Sequence, residues 1–332
     1  MPTDFDIIII GQGLAGSLLA HALEKKGENI LVLDDDHQTA SSSIAAGMIN
    51  PITGHRPNKD PLFDLYLEQA LQTYQELEND FGQRFIQPQK QIRIFNNKAQ
   101  RHQWLTQATP NNDILEVKPE GFPHLHLPHG GCLVAFSYIV NVPLIIKTIA
   151  DHLSKKHRRQ ITNVTYDQIT ITRHGAHVGD FTAKKLIFCE GARMRNNPFF
   201  THIAMHPAQG EILTLAIAGL QPMIYNWGKW LVPVAPDIFK LGSNFIWDPL
   251  DEKISEATRK ELLESMQAQF QQTLPYEVLD HQAKIRPASK TRTPFITAHS
   301  VYSHVFCMNG FGSKGCLMMP FFIQEFINPL RA

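Results

Sequence analysis

Asp6-Ile7-Ile8-Ile9-Ile10 runs directly into Gly11-Gln12-Gly13-Leu14-Ala15-Gly16. The isoleucine run is β-branched and apolar throughout, as a parallel strand buried on both faces must be. Leu18, Leu19, Ala22 and Leu23 then recur at helical spacing, so the glycines occupy a strand-to-helix turn. Glycine there permits a tight turn, the close approach of a pyrophosphate and close helix packing. The helix start offers free N–H groups and a positive dipole end to that anion. A second strand, Asn29 to Leu33, ends at Asp34. That acid stands about twenty residues beyond the glycines, where a ribose 2′-hydroxyl needs an acceptor. Strand, glycines, helix, strand and acid in register read as a site for a dinucleotide adenosine. Asp34, with Asp35 beside it, argues against a 2′-phosphate and so against NADP.

Three distant segments favour FAD over NAD. Thr39 to Pro51 carries three hydroxyls (Ser41, Ser42, Ser43) and then the small residues of Ala45-Ala46-Gly47-Met48. Such a segment lets backbone and side-chain donors crowd a flexible polyol and phosphate. Lys185 to Ala192 is a buried strand ending in a glycine turn at Glu190-Gly191. Val305 to Gly315 is again strand then glycine loop, Gly310-Phe311-Gly312-Ser313-Lys314-Gly315. The apolar stretch Cys316 to Phe326 that follows predicts a helix with Pro320 near its first turn, where a lost N–H costs little. One helix start can face a pyrophosphate and the other the N1–C2=O edge of a flavin, where negative charge collects on reduction.

Together with His129-Gly130-Gly131, Trp230-Leu231-Val232-Pro233, Lys240-Leu241-Gly242-Ser243 and Ile285-Arg286-Pro287, these segments resemble the D-amino-acid-oxidase-like FAD-dependent oxidoreductases. That family includes glycine oxidase, sarcosine oxidase and D-amino-acid dehydrogenase. The final glycine loop is most similar to the FAD domain of the bifunctional enzyme that trims carboxymethylaminomethyl-uridine in tRNA. The resemblance implies cofactor contacts from the first glycine turn, Asp34, Asp35, Ser42, Ser43, Ala46, Gly47, Met48, Val164, Glu190, Gly191, Gly310, Gly312, Ser313, Lys314 and Gly315. It assigns Arg286 to a substrate carboxylate, which a planar guanidinium clamps bidentately. It also sets Lys240 beside the flavin, where a cation would stabilise superoxide-like charge. Covalent-flavin members carry a cysteine shortly after the arginine–proline pair. Here Ser289-Lys290-Thr291-Arg292-Thr293 follows, so noncovalent FAD is expected. Tyr225 and Trp227 are further candidates for the substrate pocket, with a core role as the alternative.

The 332 residues exceed one average domain. The expected fold is α/β: a doubly wound, Rossmann-like FAD domain (1–84, 138–209, 284–332) with an inserted, mostly antiparallel substrate domain of α+β type (85–137, 210–283). Helices are predicted over Pro61–Phe81, Leu144–Leu153 and Ser255–Leu274, and hairpin strands over 161–188. Lysine plus arginine equals aspartate plus glutamate at 31 each, so no global field draws the chain to nucleic acid or an anionic membrane. The basic run Lys155-Lys156-His157-Arg158-Arg159 reads as a solvated loop. Four cysteines without CxxC spacing suit a reducing cytosol, and the sixteen histidines form no metal-ligand spacing. Acids before a short apolar run fit neither a signal peptide nor a membrane span, so a cytoplasmic location is expected.

The leading expectation is therefore an FAD-dependent oxidase or dehydrogenase. It would oxidise the C–N bond of a small amine or amino acid by hydride transfer to flavin N5, giving an imine that hydrolyses, with oxygen or an electron carrier as acceptor. A stand-alone tRNA-uridine oxidoreductase is the alternative enzyme, needing a basic rim that the neutral composition does not supply. A non-catalytic FAD-binding subunit of a heteromeric dehydrogenase is the third reading.

Overall fold

The computed structural model describes residues 4–52, 54, 57–107, 113–291 and 293–328. The isoleucine run forms the strand Phe5–Ile10 at the centre of an eight-stranded sheet. It pairs in parallel with Ile30–Asp34 on one side and Phe181–Phe188 on the other. Arg159–Ile161 and Val305–Asn309 extend the parallel portion outward. Ile169–Ile171 and Ala176–Val178 add an antiparallel edge, as the alternation in 161–188 predicts.

Both faces of the central strand are buried, and they are covered differently. Ile7 and Ile9 face the helices α1 (Leu14–Lys25), α2 (Phe63–Phe81), α4 (Val142–Lys155) and α6 (Gly315–Ile327). Ile8 and Ile10 face the antiparallel edge strands and three-ten turns, through Val164, Ile169, Met194 and Phe200. The winding is thus asymmetric, with α-helices on one face only among the described residues. Each fully buried isoleucine contributes roughly 1.5–3 kcal/mol over an exposed one, which fixes this strand as the fold's axis.

A second eight-stranded sheet runs, in spatial order, Glu277–Arg286, Ala208–Ala216, Ile238–Gly242, Trp230–Ala235, Ile224–Asn226, Gln91–Ile94, Gly131–Val134 and Ile114–Val117. All neighbours are antiparallel except Ile224–Asn226 with Gln91–Ile94. Leu262 and Met266 of α5 (Glu256–Gln267) pack on one face, against Leu213, Leu215, Leu231, Phe239 and Leu241. Two expected divisions, 209/210 and 283/284, fall inside Ala208–Ala216 and Glu277–Arg286, which pair from Ala208↔Arg286 onward. A three-stranded sheet of Met48–Ile49, Tyr138–Val140 and Ile86–Pro88 completes the β structure. α3 (Lys98–Gln107) packs Trp104 beside Phe95.

Three local expectations change. The helix predicted over Ser255–Leu274 ends at Gln267; Ser255 is its N-cap, accepting from the Thr258 amide, and Gln267 then turns its side chain onto both the N–H and C=O of Leu274. Pro320 lies inside α6 rather than at its first turn. The basic run is solvated only in part: Lys155, Lys156 and His157 are exposed, yet Lys156 and Arg158 join His152 on Glu24, at 3.0, 3.1 and 2.6 Å. Arg159 opens the next strand, its side chain only 5% exposed, and pairs with Asp36 at 2.8 Å. Carboxylates from distant helix and strand ends pair with Lys156, Arg158 and Arg159, which the local sequence does not reveal.

Candidate active site

A cavity of about 860 Å³ lies between the two large sheets, a size at the upper end of ligand pockets. Two helix N-termini open on it. Gly11, Gly13, Leu14 and Ala15 line it at the start of α1, and Gly312, Ser313, Lys314 and Gly315 at the start of α6. Neither helix has a side-chain cap at its N-cap residue, Gly13 or Lys314. The Leu14 amide of α1 is met by Ser42 Oγ at 3.0 Å, and the remaining first-turn N–H groups and positive dipole ends of the two starts suit a dianionic pyrophosphate and a second electron-rich group. At Gly11, with φ +95°, an added Cβ would sit 2.5 Å from the Cys189 carbonyl oxygen; at Gly16 it would sit 1.9 Å from that of Gly11. The first keeps the turn against the neighbouring strand, and the second keeps the helix against the turn.

Asp34 is buried at the end of its strand and lines the cavity with Asp35. Its Oδ2 accepts from the Gln12 amide and its Oδ1 from the His37 amide, each at 2.7 Å. Arg159 Nη2 stands 3.6 Å from Oδ1, and Arg159 Nε donates to Gln12 Oε1. The acid therefore braces the glycine turn as well as facing the cavity. Arg159 holds that arrangement, a role hidden within the basic run.

Ser42, Ala46, Gly47, Met48, Val164, Glu190 and Gly191 all line the cavity. Ser42 Oγ accepts from the Leu14 amide at 3.0 Å, tying the hydroxyl segment to the α1 start. Glu190 has one oxygen bonded by Asn197 Nδ2 at 2.7 Å and the other buried without a partner. Burial raises its carboxyl pKa against the Asn197 bond, which favours the charged form. Gly16, Ser43 and Gly310 do not reach the wall. Gly16 lies behind the turn; Ser43 turns its hydroxyl back to the Ala40 carbonyl, and Gly310 is pressed against Phe295.

The second sheet supplies the other wall. Arg93↔Asn226, Asn226↔Trp230, Trp230↔Gly242 and Gly242↔Ile212 are cross-strand partners, so these residues form one transverse row on the face opposite α5. Arg93, Asn226, Trp230, Ile212 and Gly210 line the cavity. Tyr225 and Trp227 alternate to the other face, where Trp227 Nε1 donates to Ser265 Oγ at 2.7 Å; both belong to the core. Arg286 reaches over Gly210, where a Cβ would stand 1.9 Å from Nη2. Its guanidinium donates to Ser243 Oγ and, at 3.3 Å, to the Asn244 carbonyl, and it lies 4.5 Å from the Phe245 ring centroid. Burial lowers its pKa to about 10, leaving it charged at neutral pH.

Lys240 belongs to the strand Ile238–Gly242. It sits on the same face, but its ammonium donates to the carbonyls of Ile44 and Ala45 at 2.8 and 3.2 Å and does not line the cavity. Burial lowers its pKa to about 8, with Asp280 opposing. It holds from behind the segment whose residues form the wall. Lys314 does line the cavity, with Asp60 3.6 Å from its ammonium.

A family model described as FAD dependent oxidoreductase matches residues 6–323. Glycine oxidase from Bacillus cereus superposes with a TM-score of 0.80 at 20% identity, covering 99% of this chain and 95% of that one. Glycine oxidase from Geobacillus kaustophilus gives 0.82 at 17% identity, covering 98% and 94%. Iminodiacetate oxidase from Chelativorans sp. gives 0.78 at 15%, covering 96% and 93%. These likenesses match a Rossmann-type FAD-binding fold joined to a sheet-rich substrate domain. With a family model spanning nearly its whole length, the chain belongs to the FAD-dependent oxidoreductases of the D-amino-acid oxidase type.

Proposed function

We propose that this protein oxidises the C–N bond of a small amine or amino acid that carries a carboxylate. The carrying observation is Arg286: a charged guanidinium on the cavity wall, stacked on Phe245, with no Asp or Glu paired to it among the described residues. A half-buried cation held in place by neutral acceptors suits an anionic ligand, and a planar fork suits a carboxylate. The relatives named glycine oxidase and iminodiacetate oxidase are named for amines that bear carboxylates, in keeping with this reading. The cavity is continuous from the glycine turn to Arg286, which supports catalysis over a purely structural use of the cofactor.

The α1 start and Ser42 would hold the pyrophosphate, Asp34 the adenosine ribose, and the α6 start the flavin edge. FAD, when bound there, supplies the acceptor for the electron pair that leaves the C–N carbon. The chain contributes position and field. Arg286 anchors the carboxylate and so limits how the Cα–H can present itself. Trp230 and Phe245 make the neighbouring wall apolar, which favours the neutral amine that must react. Lys240 keeps the Ile44–Ala45 backbone in place behind the wall.

Anaerobic mixing with a panel of amino acids, N-methyl amino acids and carboxylate-free amines tests the proposal. Bleaching of the flavin band by carboxylated amines is the expected result; a panel that leaves the band intact refutes it.

A further inference from the structure

Arg93 is 2% exposed in the strand Gln91–Ile94, on the same cavity wall as Arg286. Its Nη1 donates to Asn226 Oδ1, and its guanidinium lies 5.0 Å from the Trp104 ring centroid. Its Nε and Nη2 are buried with no hydrogen-bond partner. Those two nitrogens form the side-on edge of the guanidinium, the edge that meets both oxygens of a carboxylate in parallel. No Asp or Glu among the described residues forms an ion pair with Arg93. The neighbouring Cys132 is a thiol pushed up to about 12 by burial, so it is neutral at pH 7. A cation taken out of water without an anion is costly, and an aromatic face offsets only part of that cost.

Asn226, which holds Arg93, and Gly242, next to the Ser243 that holds Arg286, lie in one row with Trp230 between them. Two strand spacings separate them, about 10 Å. One small carboxylate does not span that interval, whereas a short molecule with a carboxylate at each end does.

We infer that the cavity accepts a substrate with two carboxylates, one held by Arg286 and the other by Nε and Nη2 of Arg93. On the C–N oxidation proposed above, on which the substrate class rests, this makes the substrate a dicarboxylic amino or imino acid. The alternative is a packing arginine whose only duty is to fix Asn226, which also accepts from the Gly228 amide at 3.2 Å.

The FAD-loaded protein decides between these. Flavin absorbance is followed while the non-reacting ligands succinate and glutarate are titrated against butyrate and valerate. Flavin reduction by iminodiacetate is then compared with sarcosine, and aspartate with alanine. The dicarboxylates should bind at least about tenfold tighter than their single-acid partners. Arg93→Gln should abolish that margin and Arg93→Lys should restore part of it. Equal binding of both classes by the wild type overturns the inference, with no variant needed. An Arg93→Gln protein that weakens both classes alike overturns it in favour of the packing role. A dicarboxylate margin that depends on Arg93, with no amine reducing the flavin, upholds the two-carboxylate site and refutes the C–N reading.

Discussion

Tyr74 of α2 donates its hydroxyl to the Cys316 carbonyl of α6 at 2.8 Å, and that carbonyl is the one Pro320 leaves without an intrahelical N–H. A proline six residues into a helix removes the i to i−4 bond at its own position, here to Cys316. The hydroxyl of a fully buried tyrosine takes over the acceptor, so the start of α6 keeps its direction toward the cavity. Tyr74→Phe removes the donor from a part-buried carbonyl, at a cost of about 1 kcal/mol. The expected reading is a fall of a few degrees in Tm on thermal unfolding of the FAD-loaded protein. An unchanged Tm would show that water or a shifted helix replaces the phenol.

Asp34→Ala should weaken FAD binding. The acid braces Gln12 and His37 and would hold ribose hydroxyls, so charge-assisted bonds of about 1.5–3 kcal/mol are at stake. That is roughly ten- to a hundredfold in affinity, read from flavin fluorescence on dilution. Wild-type affinity in this variant would move the ribose to Asp35 or Asp36. Acid denaturation should meanwhile release intact FAD into solution; yellow precipitate would refute noncovalent attachment.

Arg286→Lys keeps the charge and loses the fork. At saturating substrate the rate of flavin reduction should drop by up to about a hundredfold, because a misplaced Cα–H is costly for the transfer. Carboxylate-free amines should react slowly with the wild type and hardly respond to the change. Stopped-flow reduction with matched pairs checks this. If simple amines reduce the wild type as fast as their carboxylated partners, Arg286 is not a clamp.

Lys240 carries a signed pH dependence. Burial lowers its folded pKa to about 8 from 10.5, so between those values the unfolded chain binds more protons than the folded one. Stability from this group is therefore lost as pH falls from about 10.5 to 8 and regained as pH rises. Relative to Lys240→Met, the wild type should gain stability across that window, and the two should run parallel below pH 8. Denaturant midpoints at several pH values decide it; parallel curves throughout would mean that Lys240 is solvated.

Much of the cavity wall proposed to hold the cofactor is local in sequence. Gly11 to Ala15, Asp34, Ser42 and Gly312 to Gly315 take their positions from strand–turn–helix units a few residues long. The substrate side is different. Arg93 and Asn226 meet through a parallel pairing of strands more than a hundred residues apart, and nothing near either residue announces it. Lys240 shares a strand face with Gly242, but its ammonium bonds the carbonyls of Ile44 and Ala45, nearly two hundred residues earlier, which its own strand does not announce. The partners of Arg159, namely Gln12, Asp34 and Asp36, lie more than a hundred residues earlier, so the basic run alone does not show that it is held.

Gly210 changes how sequences of this kind should be read. Its missing Cβ is the space that the Arg286 guanidinium fills, so the arginine and the glycine act as one two-letter word split by 75 intervening positions. A homologue that keeps the arginine but carries alanine or larger at 210 must aim that guanidinium elsewhere. Its substrate cannot be inferred from the arginine–proline motif alone. In a library at position 210, even the smallest side chain should behave like a lesion at 286.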